Sequence, residues 1–365
     1  MTAVVARTTP TGLLDDPRAI TPAWLTGVLR GSSAIDAATA IAHAHVERFG
    51  DGSAMLSRLY RIELRYDGSA AGAPRSVVVK LASDDPEQRF TAELLGLYRR
   101  EALVYRTVVV ELPYRTPRCH FAAVSADGAQ CTLVLEDLLR CRFADQMRGA
   151  SRRAVAASID AMAAQHARWA GDARLDELAS TLWPLDHPVY PEALGAVFDA
   201  GWARVVDVLG DRIDPRVHAL ASSWSEQCGT WLHQLAREPT LLHGDWRADN
   251  VFFDGPTWQI GMLDFQIAGI GNGAYDLAYF VSQSVAPARQ RNRDRPLLER
   301  YAARLAQRGA PVDLDRLWHE YRTALRVCLV YPVSLFRSYE SRNPRGRALV
   351  ETMFTRASTA LARTC

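Results

Sequence analysis

The stretch 241–267, LLHGDWRADNVFFDGPTWQIGMLDFQI, restricts the fold of this chain more than any other. It interrupts a long region of helical spacing, with helices indicated near 151–170, 190–209, 214–237, 274–284, 294–308, 313–335 and 345–362. Its apolar residues fall into two short runs, NVFF and QIGMLDF, split by Asp254-Gly255-Pro256. Short apolar runs bounded by Asp, Gly and Pro are strands and turns. The helical region therefore carries a β-loop island.

The first part of the chain has the opposite character. Residues 1–40 read as a tail followed by a short helix, with Thr21 as cap, Pro22 in the first turn and an end at Gly31. Strand-like runs follow at 41–50, 56–66 and 76–82. In the second, Leu59, Arg61, Glu63 and Arg65 alternate with Tyr60, Ile62, Leu64 and Tyr66. One helix from about 86 to about 110, capped by Asp84 or Asp85, precedes strands at 119–125 and 131–137. The expected fold is α+β, with a small antiparallel-sheet lobe at 41–137 and a larger, mostly helical lobe at 138–365. The larger lobe holds a helical block (151–240), the island (241–267) and C-terminal helices.

Bulk properties narrow the function. A net charge of +2 and 23% charged residues give no global attraction for nucleic acid or an anionic membrane. No apolar run approaches the roughly 20 residues of a membrane span. The six cysteines form no C-x-x-C pair, and the N-terminus shows no signal-peptide pattern, so a cytoplasmic protein with reduced thiols is expected. One compositional oddity stands out. Lys+Arg total 43, and the single lysine is Lys80, in RSVVVKLAS, which leaves 42 arginines.

The chemistry is concentrated in the island. Phosphoryl transfer from a nucleotide needs a carboxylate to take the acceptor's proton and hard oxygen ligands to hold Mg²⁺ against the phosphates. Asp245, Asn250 and Asp264 supply that set, on a tight loop between short strands and at the end of a following strand. An Asp in a His-Gly-Asp turn is commonplace by itself. The spacing D-x-x-x-x-N followed by a strand-ending Asp is much less so.

HGDWRADN followed by LDF resembles the catalytic and metal-binding loops of the aminoglycoside phosphotransferase/choline kinase family, small-molecule relatives of the protein kinases. The resemblance covers about residues 40–365. It implies a two-lobed kinase-like fold, Asp245 as catalytic base, and Asn250 and Asp264 as magnesium ligands. Gln266 replaces the kinase glycine after Asp264-Phe265. The family's phosphate-binding lysine falls on Lys80, at the end of a Val-rich strand. Its helix glutamate falls on Glu101 in E-x-x-x-Y, with Glu93 as the fallback. A compact ammonium fits between a carboxylate and two phosphates where a planar guanidinium would not, which explains a retained lysine. Gly50, Gly52 and Ser53 fall where the phosphate-covering loop belongs, although the third glycine of G-x-G-x-x-G is missing. Glu136, Asp137 and Leu138 fall on the adenine-binding hinge, whose backbone contacts admit GTP as well as ATP. Asp276 and His243 are expected to be scaffold residues.

The acceptor implied is a hydroxyl of a small molecule: an aminoglycoside, amino alcohol, sugar or other metabolite. A protein kinase would need a long activation segment ending in A-P-E, whereas only eleven residues separate Asp264 from Asp276. The other rival is a catalytically inactive kinase-like binding protein, which would usually have lost the lysine, the base or a metal ligand. Asp172, Asp176, Glu177, Asp186, Glu192 and Asp199 could form an acidic pocket for a cationic acceptor or a solvated face. Of Trp169, Trp183, Trp202, Trp224 and Trp231, most are expected in the core.

Overall fold

A computed structural model describes residues 12–50, 56–68, 70–286, 294–340 and 342–364. The chain divides into two units, 1–111 with 116–140, and 112–115 with 141–365.

In the first unit, five strands form an antiparallel sheet: β1 (Ile41–Phe49), β2 (Ser57–Tyr66), β3 (Ser76–Ala82), β4 (Cys119–Val124) and β5 (Cys131–Glu136). Their order is β1-β2-β3-β5-β4. The alternation in β2 sets its faces, with Tyr60, Ile62 and Leu64 buried and Glu63 and Arg65 exposed. Val77, Val79 and Leu81 of β3 join Ile62 and Val134 in the core beneath the sheet. Segment 12–40, read from the sequence as a tail and a short helix, belongs to this unit. Helix α1 (Pro22–Gly31) buries Leu25, Val28 and Leu29 in the same core, and Leu14 N–H donates to Thr132 Oγ1 at 2.8 Å.

The single helix expected over 86–110 is broken. Asp85 caps α2 (Pro86–Leu94) by accepting from Glu87 and Gln88 N–H. Gly96 then takes the left-handed conformation (φ 64°), and α3 (Leu97–Leu103) starts afresh before a wider turn at Val104–Val108. Glycine is what allows this reversal, and the periodicity on either side conceals it.

In the second unit, β6 (Arg142–Phe143), β8 (Val251–Asp254) and β9 (Gln259–Met262) form one small sheet. Strands β7 (Thr240–Leu242) and β10 (Gly269–Gly271) form another. Around them lie α4 (Arg152–Trp169), α5 (Arg174–Leu178), α6 (Val189–Leu209), α7 (Pro215–Ala221), α8 (Trp224–Leu235) and α9 (Ala274–Ser284). Four more follow: α10 (Asp294–Ala306), α11 (Leu314–Cys328), α12 (Val330–Leu335) and α13 (Pro344–Thr364). Two helices read as continuous are split. At 222–223 the serine hydroxyls bond back to Ala219 and Leu220 carbonyls and end α7. Near 329, Pro332 has no N–H to continue the ladder from α11. Among the described residues, no helix is long and apolar enough to cross a membrane.

Leu25→Ala tests whether α1 belongs to the first unit. Removal of a fully buried leucine from this core should cost about 2–5 kcal/mol in denaturant unfolding. A loss below about 0.5 kcal/mol, the range of an ordinary surface substitution, would mean that α1 is an appendage.

Candidate functional site

In the first unit, the lone lysine is paired. Lys80 lies on β3 and Glu101 on α3, and the Lys80 Nζ donates to Glu101 at 2.8 Å. Both side chains are almost wholly buried, at 7% and 1% exposure. Burying two charges is costly, so such a pair calls for a reason beyond stability. Glu93, the fallback, is exposed on α2. Gly50 follows β1 and adopts φ 81°, whereas Gly52 and Ser53 lie outside the described residues. At the end of β5, Asp137 is buried and accepts from Arg61 Nε at 2.9 Å and Ser76 Oγ at 2.8 Å. Its carboxylate is thus occupied structurally. The Glu136 carboxylate accepts from Arg118 N–H, and Leu138 is buried.

In the second unit, a buried carboxylate organises the loop after β7. Asp276, on α9 and fully buried, accepts from His243 N–H and Gly244 N–H, both at 2.8 Å. His166 Nε2 approaches the same carboxylate at 3.2 Å, and His166 Nδ1 bonds the Tyr301 hydroxyl at 2.7 Å. Gly244 has φ 81°, and a Cβ there would lie 2.0 Å from the Ile267 carbonyl oxygen. No side chain fits, which accounts for the Gly in His-Gly-Asp.

His243 links the two candidate loops. Its Nδ1 accepts the Asp245 N–H at 3.2 Å, and its Nε2 meets the Leu263 carbonyl at 3.2 Å. Only the neutral Nε2–H tautomer satisfies both. Burial holds the imidazole below its ordinary 6.5, against the pull of Asp276, Asp245 and Asp264. Leu263 N–H in turn donates to the Asn250 carbonyl at 3.1 Å. Asp245, Asn250 and the residue before Asp264 therefore form one hydrogen-bonded assembly. Asp264 itself takes φ 67°, a left-handed conformation costly for a residue with a side chain and typical of functional loops.

Within the assembly, Asn250 Nδ2 donates to the Asp245 carbonyl at 3.0 Å and to Asp245 Oδ2 at 2.8 Å. Arg247 Nε donates to the same Oδ2 at 3.1 Å. Asp245 Oδ1 is buried and meets no donor at full hydrogen-bond geometry. With its amide nitrogen engaged, Asn250 keeps its amide oxygen for a hard cation. Among the described residues, no cluster of three or more His, Cys, Asp or Glu side chains could hold a metal unaided. Two oxygen donors, Asn250 and Asp264, fit magnesium, which takes most of its ligands from phosphates and water.

Three residues near Asp245 escaped the sequence reading. Arg247 is one, and its position between Asp245 and Asp249 was the available signal. The others are Tyr279 and Tyr331. Burial first, then the Asp245 charge, holds the Tyr279 phenol well above its ordinary value. Tyr331 packs edge-on against Tyr279 with ring centroids 4.5 Å apart, and its hydroxyl bonds that of Tyr275. The aromatic series extends to Tyr190, close enough to act on Tyr331, and from there to Trp183 and His187, stacked at 3.8 Å. Trp183 is tied to β10, which follows the Asp264 loop, because its carbonyl accepts from Ile270 N–H. Trp169, Trp224 and Trp231 are core residues, whereas Trp183 and Trp202 are half-buried.

The neutrality of His243 can be tested by ¹⁵N NMR of the imidazoles. At pH 7, His243 should show the Nε2–H tautomer and should protonate only below 6.5. Between its folded and unfolded pKa the unfolded chain binds a proton that the folded chain refuses, so His243 destabilises the fold as pH falls below 6.5. A cationic or Nδ1–H imidazole at pH 7 would contradict this bonding scheme.

Comparisons with known proteins bear on the fold and the family. No curated protein matches the chain. A putative aminoglycoside phosphotransferase from Ralstonia eutropha JMP134 superposes with TM-score 0.55 at 13% identity, covering 93% of this chain and 97% of that one. A choline kinase from Cryptosporidium parvum Iowa II also gives TM-score 0.55, at 11% identity and 91% and 93% coverage. The GDP complex of aminoglycoside 2'-phosphotransferase-IIIa gives 0.53 at 15% identity, with 87% and 93% coverage. These likenesses show the kinase-like fold. Residues 51–311, more than half of the sequence, match the model of the ecdysteroid kinase-like family, and the chain belongs to that family.

Proposed function

We propose that this chain transfers the γ-phosphate of ATP, or of GTP, to a hydroxyl of a small molecule, with Asp245 as the base. The observation that carries the reading is the single hydrogen-bonded assembly of Asp245, Asn250 and the Leu263–Asp264 strand end, pinned by Asp276. Asp245 orients the acceptor hydroxyl and takes its proton. Asn250 and Asp264 would hold Mg²⁺, which when bound neutralises charge on the phosphate oxygens. In the first unit, Lys80, held by Glu101, binds nucleotide phosphate. The buried ion pair supports that role, because its cost is offset when the ammonium meets a second anion.

The acceptor is read as a neutral alcohol carrying a ring or other apolar face. Two observations support this. The carboxylates that could have formed an acidic pocket for a cationic acceptor are occupied or outward: Asp172 pairs with Arg168 and Arg174, Asp186 with His233, Asp199 accepts from Ser225, and Glu177 is exposed. Asp176 and Glu192 are exposed. By contrast, aromatic rings run outward from Asp245 through Tyr279, Tyr331 and Tyr190 to Trp183. Such rings, meeting edge to face, give an apolar wall with hydroxyls at its edges. The protein is read as cytoplasmic, acting on neither nucleic acid nor membrane.

Three variants test the scheme. Asp245→Ala should lower kcat by about 10²–10⁴-fold while nucleotide still binds in calorimetry. Turnover at the wild-type rate would remove Asp245 as base. Lys80→Arg keeps the charge but should lose productive nucleotide use, because the guanidinium overfills the place of the ammonium. Full activity would refute the account of the lone lysine. Tyr331→Ala should raise the acceptor KM about tenfold and leave the nucleotide KM unchanged, as loss of one aromatic contact would. An unchanged acceptor KM would separate the aromatic series from the substrate.

A further inference from the structure

We infer that Arg247 is a positioning residue that determines which oxygen of Asp245 meets the acceptor hydroxyl. This rests on reading Asp245 as the base. Arg247 stands at the apex of the loop, and it is bound to Asp245 twice. Its backbone N–H donates to the Asp245 carbonyl at 2.8 Å, and its Nε donates to Asp245 Oδ2 at 3.1 Å. Its Nη1 reaches Asp249 Oδ2 at 3.5 Å, and Asp249 Oδ1 accepts from Gln146 N–H at 3.1 Å. The guanidinium is therefore fixed from both ends, and its side chain is only 18% exposed. Burial alone would lower its affinity for a proton, but Asp245, Tyr279 and Asp249 more than reverse that and keep it charged.

The effect on Asp245 is asymmetric. Oδ2 receives two donors, Asn250 Nδ2 and Arg247 Nε, on one edge of the carboxylate. Oδ1 is buried and meets no donor at full hydrogen-bond geometry, although the Tyr279 phenol interacts with the same carboxylate. A carboxylate free to turn would exchange the two oxygens. Here rotation would break two charge-assisted bonds, so Oδ1 is kept as the acceptor for a new donor. An orphaned carboxylate oxygen away from water is costly to the free protein, and a substrate hydroxyl removes that cost. Asn250 alone would leave Oδ2 with one side-chain donor, Nδ2, while its amide oxygen stays available to a metal. Arg247 Nε supplies the second donor, and its Nη1 contact to Asp249 holds it there.

Three replacements separate donor from charge. Glutamine carries an N–H at the same number of bonds from the backbone as arginine Nε, but no charge. Lysine carries the charge one atom further out. Methionine carries neither. Orientation predicts that Arg247→Gln keeps kcat within about threefold and that Arg247→Lys loses more than Arg247→Gln. Arg247→Met should lose about 10–100-fold in kcat, with the KM of nucleotide and acceptor held within about twofold. In an Asp245→Asn background, Arg247→Met should cause no further loss, because the oxygen it orients no longer takes a proton. The inference is overturned if Lys outperforms Gln, which would make charge the relevant property. It is equally overturned if Arg247→Met lowers the residual rate of Asp245→Asn by the same factor as in the wild type. Should the methionine variant fail to fold, the Gln-against-Lys ranking decides. Failure of the base assignment itself is distinct: Asp245→Asn alone would then leave kcat unchanged, whatever Arg247 does.

Discussion

The candidate site depends on one buried carboxylate. Asp276 has no exposure, and two consecutive backbone N–H groups, His243 and Gly244, converge on it. Those two hydrogen bonds fix the direction in which the chain leaves β7 and hence where Asp245 points. Everything downstream is relayed from it: His243 ties Asp245 to Leu263, and Asn250 ties back to Asp245. An ionised group in such a place needs at least two good donors to be tolerated, and here it has them together with His166. The loop also rests on aromatic rings, with Trp246 against Tyr114 and Phe265 against His243. The proposed reacting groups are thus carried on a preorganised loop, which is where electrostatic catalysis gains most.

The first unit shows the same economy. Its sheet and α1 provide a rigid apolar layer, and the one lysine of the chain projects from β3 to a glutamate on α3. In each unit a buried carboxylate holds a candidate residue: Glu101 for Lys80 and Asp276 for the Asp245 loop. Such contacts add little net stability, since desolvation offsets most of their attraction. Their value lies in geometry, which is what phosphoryl transfer demands of a protein that contributes little covalent chemistry itself.

Much of this was legible in the sequence because it depends on short-range pattern. The strands of the first unit follow from alternation such as that in Leu59–Tyr66, and the candidate loop was marked by the D-x-x-x-x-N spacing. Glu101 rather than Glu93 as partner of Lys80 was not fixed by spacing, because Gly96 restarts the helix between them and alters the face each presents. The breaks at 222–223 and near Pro332 were hidden for a similar reason, since helical periodicity continues across them. Strands β6 and β10 are too short, at two and three residues, to leave a periodic trace. The aromatic series from Tyr279 to Trp183 joins residues far apart in the chain, so no local pattern could reveal it. Arg247 was visible as a charge between two aspartates, yet its Nε contact to Oδ2 is a matter of rotamer and burial.

The account's central claim is that this chain moves a phosphate to an alcohol. The most direct test is ³¹P NMR of the wild-type protein with magnesium, ATP and a panel of neutral ring-bearing alcohols beside polycationic ones. The account predicts a phosphomonoester resonance that grows with ADP for at least one neutral alcohol and is absent without acceptor. ATP left intact with every alcohol, or converted to ADP and inorganic phosphate regardless of the acceptor, would contradict it.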